Sequence, residues 1–434
     1  ALVESPNILI GEFEKKYLNI PMECLILTMK SNQKYFPLFD KKNLLTNKFI
    51  ITSNSNTRNT KNIIEGNEKV IRPRLADAQF FFDQDKKDGM EFFASKLKTI
   101  IYHNKLGSQE DRAKRVANMM IYINLHLNFK YKTDFSRLAM LSKADLVSQM
   151  VCEFPELQGI MGRYYAIEIN ESNDFVNAIE DHYKPKFSGD TLPRNKLGDL
   201  SALADKFETL ISLFSINEIP TGEKDPFGLR RNVIGIIRII IEKNIPLNFI
   251  NLINNFFPSN KEQEKLLLIK FMYERLFNYL KDEKKTSEQV EAVLSIMPSY
   301  LNDLPVRLEA INSFSKLTQS QDLASANKRV RNILKKYNEN ISDNVDTTLL
   351  KDKAEIELHK KLNQLNPIIK LSIKNNDFIN ALTILVELKD PIDKFFDKVM
   401  VNAENEKIKS NRHSLLNQLY LALNSVADIS KLIG

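Results

Sequence analysis

From residue 90 onward, apolar residues recur three and four positions apart almost without a break, and nothing else constrains the fold as strongly. Leu97, Ile100 and Ile101 form one such stripe; Val116, Met119, Met120, Ile123 and Leu127 form a second. Leu138, Leu141, Leu146, Met150 and Phe154 form a third. Side chains at that spacing share one face of a helix, so each stripe predicts a helix buried on one side. Pro155 and Gly159 break the pattern, and a Pro-, Gly- and Lys-rich loop is expected over 183–194. Helix resumes over 197–214 and 261–281, and a bundle follows from 306 to a last long helix over 404–426. The apolar run 233–241 is too short to span a bilayer and reads as a buried core helix. Glycine is scarce, 12 in 434 residues, which argues against a large loop-rich β protein.

The first 85 residues differ. The run 7–13 alternates like a strand, and Pro21 sits where an early helical proline starts a helix over 21–29. Strands are expected at 35–39 and 49–52, on either side of the polar turn Asp40-Lys41-Lys42-Asn43. An Asn/Ser/Thr-rich loop is expected over 53–62. The chain is thus mostly α, opened by a short α/β module, with boundaries near 85 and 300.

Several chemistries lack their residues. There is no GxGxxG or GxxxxGK[ST] phosphate cradle, and neither synthetase class leaves its ATP signatures. No GxSxG or Cys/His pairing suggests a nucleophile. The histidines (103, 126, 182, 359, 413) are scattered singly, as surface or core residues usually are. Cys24 and Cys152 form no CxxC, which suits a reducing, cytoplasmic setting.

The net charge of +7 is compatible with a polyanionic partner. It is concentrated in one helix, 323–337, reading LASANKRVRNILKKY. Placed on a helix, Leu323, Ala326, Val330, Ile333, Leu334 and Tyr337 share a side. Lys328, Arg331 and Lys335 take the opposite side, with Arg329 and Lys336 on its flank. No acid lies among these cations, so a phosphate backbone or plain solvent must face them. Elsewhere, Arg72 and Arg74 flank Pro73 and either pair with Glu68 and Asp77 or bind phosphate. Asp225 is expected as an N-cap with Pro226 at the first helical position, near Arg230 and Arg231.

Six stretches, in order, resemble the β subunit of bacterial heterotetrameric glycyl-tRNA synthetase: TMKSNQKYFPLFD, GNEKVIRPRLADAQFFFDQD, KADLVSQMVCEFPELQGIMGRYYA, IPTGEKDPFGLRRNVIGIIRII, ANKRVRNIL and FFDKVMVNAENEKIKSNR. The resemblance reaches from near Leu2 to Leu432. It implies a further N-terminal region of roughly two hundred residues or more, in keeping with the abrupt opening of the text. It implies a mostly α fold in three parts: a truncated α/β module like that of the phenylalanyl synthetase β chain (1–85), an HD-like helical domain with connecting helices (86–300), and an anticodon-binding bundle like that of arginyl-tRNA synthetase (301–434).

The resemblance also implies a division of labour. A separate α subunit, two with two β, uses ATP and Mg to form glycyl-adenylate, while this chain holds tRNA(Gly) and carries no cofactor. Lys328, Arg329, Arg331, Lys335, Lys336 and Arg412 become the expected tRNA contacts. Arg72, Arg74, Lys224, Arg230 and Arg231 become candidates for further RNA or subunit contacts. The HD-type metal positions fall at His103, Asp145 and Asp205, but Ala144 replaces the doublet's histidine, so no metal is expected. A metal-dependent HD-type phosphohydrolase is the alternative reading. Gly228 replaces the family's usual Ala and should weaken its helix by up to about 1 kcal/mol. His413 also departs from the family pattern.

Overall fold

A computed structural model describes residues 3–4, 6–54, 59–282, 285–337, 341–342 and 344–432. Part of the loop expected over 53–62 lies outside the described residues. The chain divides into two compact units, Ala1–Ser212 and Leu213–Gly434.

The first unit opens on a three-stranded antiparallel sheet in the order β1 (Asn7–Glu12), β3 (Leu45–Ser53), β2 (Phe36–Phe39). Its period-two pattern sorts Leu9, Phe49 and Ile51 inward and leaves Ile8 and Ile10 exposed. Gly11 is required by packing, because a Cβ there would meet the Phe49 ring at 2.8 Å. Helices α1 (Met22–Gln33) and α2 (Thr60–Asp88) pack beside the sheet. Pro21 is the N-cap of α1 rather than its first residue.

Helices then follow at the expected spacing. In α3 (Gln109–His126), Ala113, Val116, Ala117, Met120 and Ile123 are buried. Ser108 and Asp111 form a capping box at its start, satisfying two otherwise unpaired backbone donors. Asp134 caps α4 (Phe135–Ala144) and Ser172 caps α5 (Asn173–Asp181) more simply, each side chain accepting one backbone N–H, from Arg137 and Phe175 respectively. Next comes α6 (Lys196–Ser215), whose Leu200, Leu203, Phe207 and Leu210 are fully buried.

In the second unit, α7 (Leu229–Glu242) buries Val233, Ile236, Ile237, Ile239 and Ile240 and packs on α8 (Glu262–Asp282). Asp225 is not its N-cap. Gly228 is, and the Asp225 carboxylate accepts from the N–H groups of Leu229 and Arg230 at 2.8 and 2.9 Å. Gly228 has a φ of +64°, and an added Cβ would meet the Arg231 guanidinium at 2.9 Å. The expected helix penalty is therefore misplaced, since this glycine sits outside the helix in left-handed backbone. Gly228→Ala should destabilise the second unit by about 1–2 kcal/mol in urea unfolding; a stabilised variant would contradict this.

The C-terminal bundle comprises α9 (Ser320–Lys336), α10 (Lys353–Lys374), α11 (Lys389–Lys398) and α12 (Glu406–Leu423). Helix α9 packs on α12 and on the closing turn Ile429–Leu432, and α10 packs on α11 and α12. No helix among the described residues is long and apolar enough to cross a membrane.

Candidate nucleic-acid interface

Helix α9 buries Leu323, Ala324, Asn327 and Val330. The asparagine sets the rotation. Its side-chain amide donates to Asn424 Oδ1 at 2.9 Å and to Asp428 Oδ1 at 3.3 Å, and Asn424 Nδ2 donates back at 3.1 Å. A buried amide without partners costs more than its bonds contribute, so this reciprocal pair holds α9 in one orientation. Asn327→Ala should lower stability by about 2 kcal/mol in chemical denaturation, because Asn424 and Asp428 lose a buried partner. A loss below about 0.5 kcal/mol would show that the pair is incidental.

With the helix held so, Lys328, Arg329, Lys335 and Lys336 are exposed. Ser325, Lys328, Arg329, Asn332, Ile333 and Lys336 line an open groove of about 550 Å³. The Arg329 guanidinium lies over the Phe396 ring at 4.0 Å from its centre, which flattens it against α11. Lys335 and Lys336 occupy the last turn, where the helix dipole favours cations.

The cationic face is thus turned relative to the sequence reading. Arg331, expected at its centre, is half-buried at its edge and pairs with Asp428 at 3.5 Å. Arg412 is corrected outright. It is buried and donates to Glu355, to Asp352 at 2.8 Å and to the Met400 carbonyl at 2.6 Å, leaving no guanidinium edge for a phosphate. Tyr337 is half-buried and stacks on buried His413 at 3.8 Å, which gives that histidine a packing role. The sequence reading missed Asn327, Asn424 and Phe396; only the ANKR string hinted at the first.

The second set of candidates is dispersed. Arg72 pairs with Glu14 at 2.8 Å rather than with Glu68 or Asp77, and Arg74 is exposed. Lys224 and Arg231 are exposed beside the turn that precedes α7, and Arg230 donates to the Gly222 carbonyl at 2.6 Å.

The HD-type positions form no metal-binding group among the described residues. His103 is half-buried and accepts from the Lys105 N–H at 3.2 Å. Asp145 Oδ2 accepts from the N–H groups of Gly159 and Gly162 at 2.6 and 3.0 Å. Burial pushes this carboxyl up to about 6 against those bonds. Asp205 binds Arg112 and Lys143, both at 3.0 Å. Burial would raise its pKa, but Arg112 and Lys143 outweigh that and hold it well below the usual carboxylate range. Among the described residues no three His, Cys, Asp or Glu side chains could hold a metal together.

The bundle displays one helix with four exposed cations, and residues 323–432 match the DALR anticodon binding domain. Residues 1–295 match the glycyl-tRNA synthetase beta subunit family, and the chain belongs to that family. It is 48% identical over 434 residues to a glycine–tRNA ligase beta subunit of Janthinobacterium sp. (strain Marseille), covering 99% of this chain and 62% of the relative. It is also 48% identical over 438 residues to that of Dechloromonas aromatica, covering 100% and 62%. The beta subunit of Nitrosomonas europaea is 47% identical over 455 residues, covering 100% and 63%. The chain therefore spans about three-fifths of the length of these relatives.

Proposed function

We propose that this chain is the tRNA-holding part of a glycine–tRNA ligase β subunit, acting in the cytoplasm. Its C-terminal bundle grips tRNA(Gly) through Lys328, Arg329, Lys335 and Lys336, with Arg331 at the margin. Lys224, Arg231 and Arg74 are further contacts to RNA or to a neighbouring subunit. A separate α subunit, two with two β, activates glycine with ATP and Mg and transfers it. The observation that carries this reading is the cationic face of α9, free of acids from 328 to 336 and held outward by the Asn327 lock. A polyanion is the partner such a face fits.

The test is reconstitution. A full-length β chain mixed with an α subunit is expected to glycylate tRNA(Gly), and the β chain alone is expected to give no glycine-dependent ATP–pyrophosphate exchange. Exchange by the β chain alone would overturn the division of labour.

A further inference from the structure

The first unit contains an ion cluster that RNA binding does not use. Lys143 on α4 is 3% exposed, and His182, just beyond α5, is 1% exposed. Lys143 Nζ lies 2.8 Å from His182 Nε2 and 3.0 Å from Asp205 Oδ1. The aromatic face of Tyr183 covers it at 4.3 Å. His182 Nδ1 lies 2.6 Å from the Ile179 carbonyl, so Nδ1 carries the proton and Nε2 presents its lone pair to the ammonium. The void beside the cluster is about 10 Å³, room for at most one water.

An imidazole fixed through its Nδ1–H to a backbone carbonyl, with Nε2 aimed at a point shared by a carboxylate, is how proteins present a histidine to a metal ion. Here that point is filled by an ammonium tethered to the chain's own backbone. Charge decides which cation suits it. Asp205 is the carboxylate that touches the point, and it is already bound by Arg112. Glu208 is taken by Arg112 and Arg115, the Asp145 oxygen Oδ2 by two backbone N–H groups, and Lys206 stands nearby as a further buried cation. Among these carboxylates only Asp145 keeps a buried oxygen without a hydrogen-bond partner, Oδ1, so a second positive charge at the point would find little anion to balance it. One imidazole and one carboxylate oxygen are also too few to hold a divalent ion firmly. Nζ faces two acceptors, the His182 Nε2 lone pair and the Asp205 carboxylate, an arrangement that an ammonium satisfies.

We propose that this cluster is a monovalent-cation site whose resident ion is the Lys143 ammonium, and that it accepts a free alkylammonium rather than a divalent metal when that side chain is cut back. Such a site closes the first unit without metal loading. The HD-type positions then serve folding, and the hydrolase reading loses its metal.

The test is thermal unfolding of the whole chain as wild type, Lys143→Ala and Lys143→Met, with ethylammonium, Mn²⁺ or Ni²⁺ added. Lys143→Ala should lower the transition of the first unit by about 6–12 °C. Millimolar ethylammonium should restore several degrees to Lys143→Ala. It should leave wild type, and Lys143→Met with its space filled, unmoved. Neither metal should shift any of the three. Overturning results are stoichiometric metal binding by wild type, a larger gain from a metal than from the amine in Lys143→Ala, no gain from the amine, or a wild-type transition in Lys143→Ala. If Lys143→Ala does not fold, the same additives go into the refolding buffer. Recovery with ethylammonium alone then supports the site, and recovery with a metal or with neither overturns it.

Discussion

Arg412→Ala is expected to destabilise the second unit by about 3–5 kcal/mol, the largest single-residue effect in that unit. The guanidinium is buried between Glu355, itself fully buried, and Asp352, and it also donates to the Met400 carbonyl. Removing it strands the Glu355 carboxylate without its cation in a place water does not reach. Glu355 also accepts from the N–H groups of Lys351 and Asp352 at 2.7 and 3.0 Å, so the loss reaches the capping box at the start of α10. Arg412→Lys should recover little, because a single ammonium cannot span both carboxylates and the carbonyl. Urea denaturation measures this, and an unchanged midpoint would contradict it. In conditions where the variant remains folded, its affinity for tRNA should match wild type, which separates a structural arginine from a contact.

Reversing the exposed ridge has the opposite profile. Lys328→Glu, Arg329→Glu and Lys336→Glu together should weaken tRNA binding on the order of 100-fold, at roughly 1 kcal/mol per lost phosphate contact plus the added repulsion. The unfolding free energy should fall by only about 1–2 kcal/mol, from the lost Arg329–Phe396 stacking and the reversed charge of Lys336 in the last turn. The loss stays small because these side chains are exposed and pair with no acid on their own helix between 328 and 336. Arg331 is left out by design. A glutamate there would face Asp428 across a gap of about the present 3.5 Å and damage the fold as well. Filter binding and urea unfolding on the same preparations separate the two effects. A folded triple variant that binds tRNA as wild type does would contradict the assignment.

The elements were legible because burial on one side leaves a period, and α3, α7 and the strands of the first sheet keep it. The phase of α9 was not. Its buried stripe runs through a polar residue, Asn327, and apolar Ile333 stays at the groove. Hydropathy alone therefore turned the cationic face toward Arg331. Arg412 was misread for a related reason. It lies in a basic string, and its carboxylate partners are 57 and 60 residues away, beyond any local spacing rule. The same distance hid the Lys143 cluster, where His182 and Asp205 come from two other helical segments. Gly228 misled through its neighbours, because a glycine next to a helical pattern reads as a weak helix residue until its backbone angle is known.

The salt dependence of tRNA binding tests the central claim most directly. With four exposed cations on α9, a plot of log affinity against log salt should have a slope of about −3 to −4, and the triple variant should lose roughly 2 to 3 of it. A wild-type slope near zero, or the same slope in wild type and variant, would contradict the account.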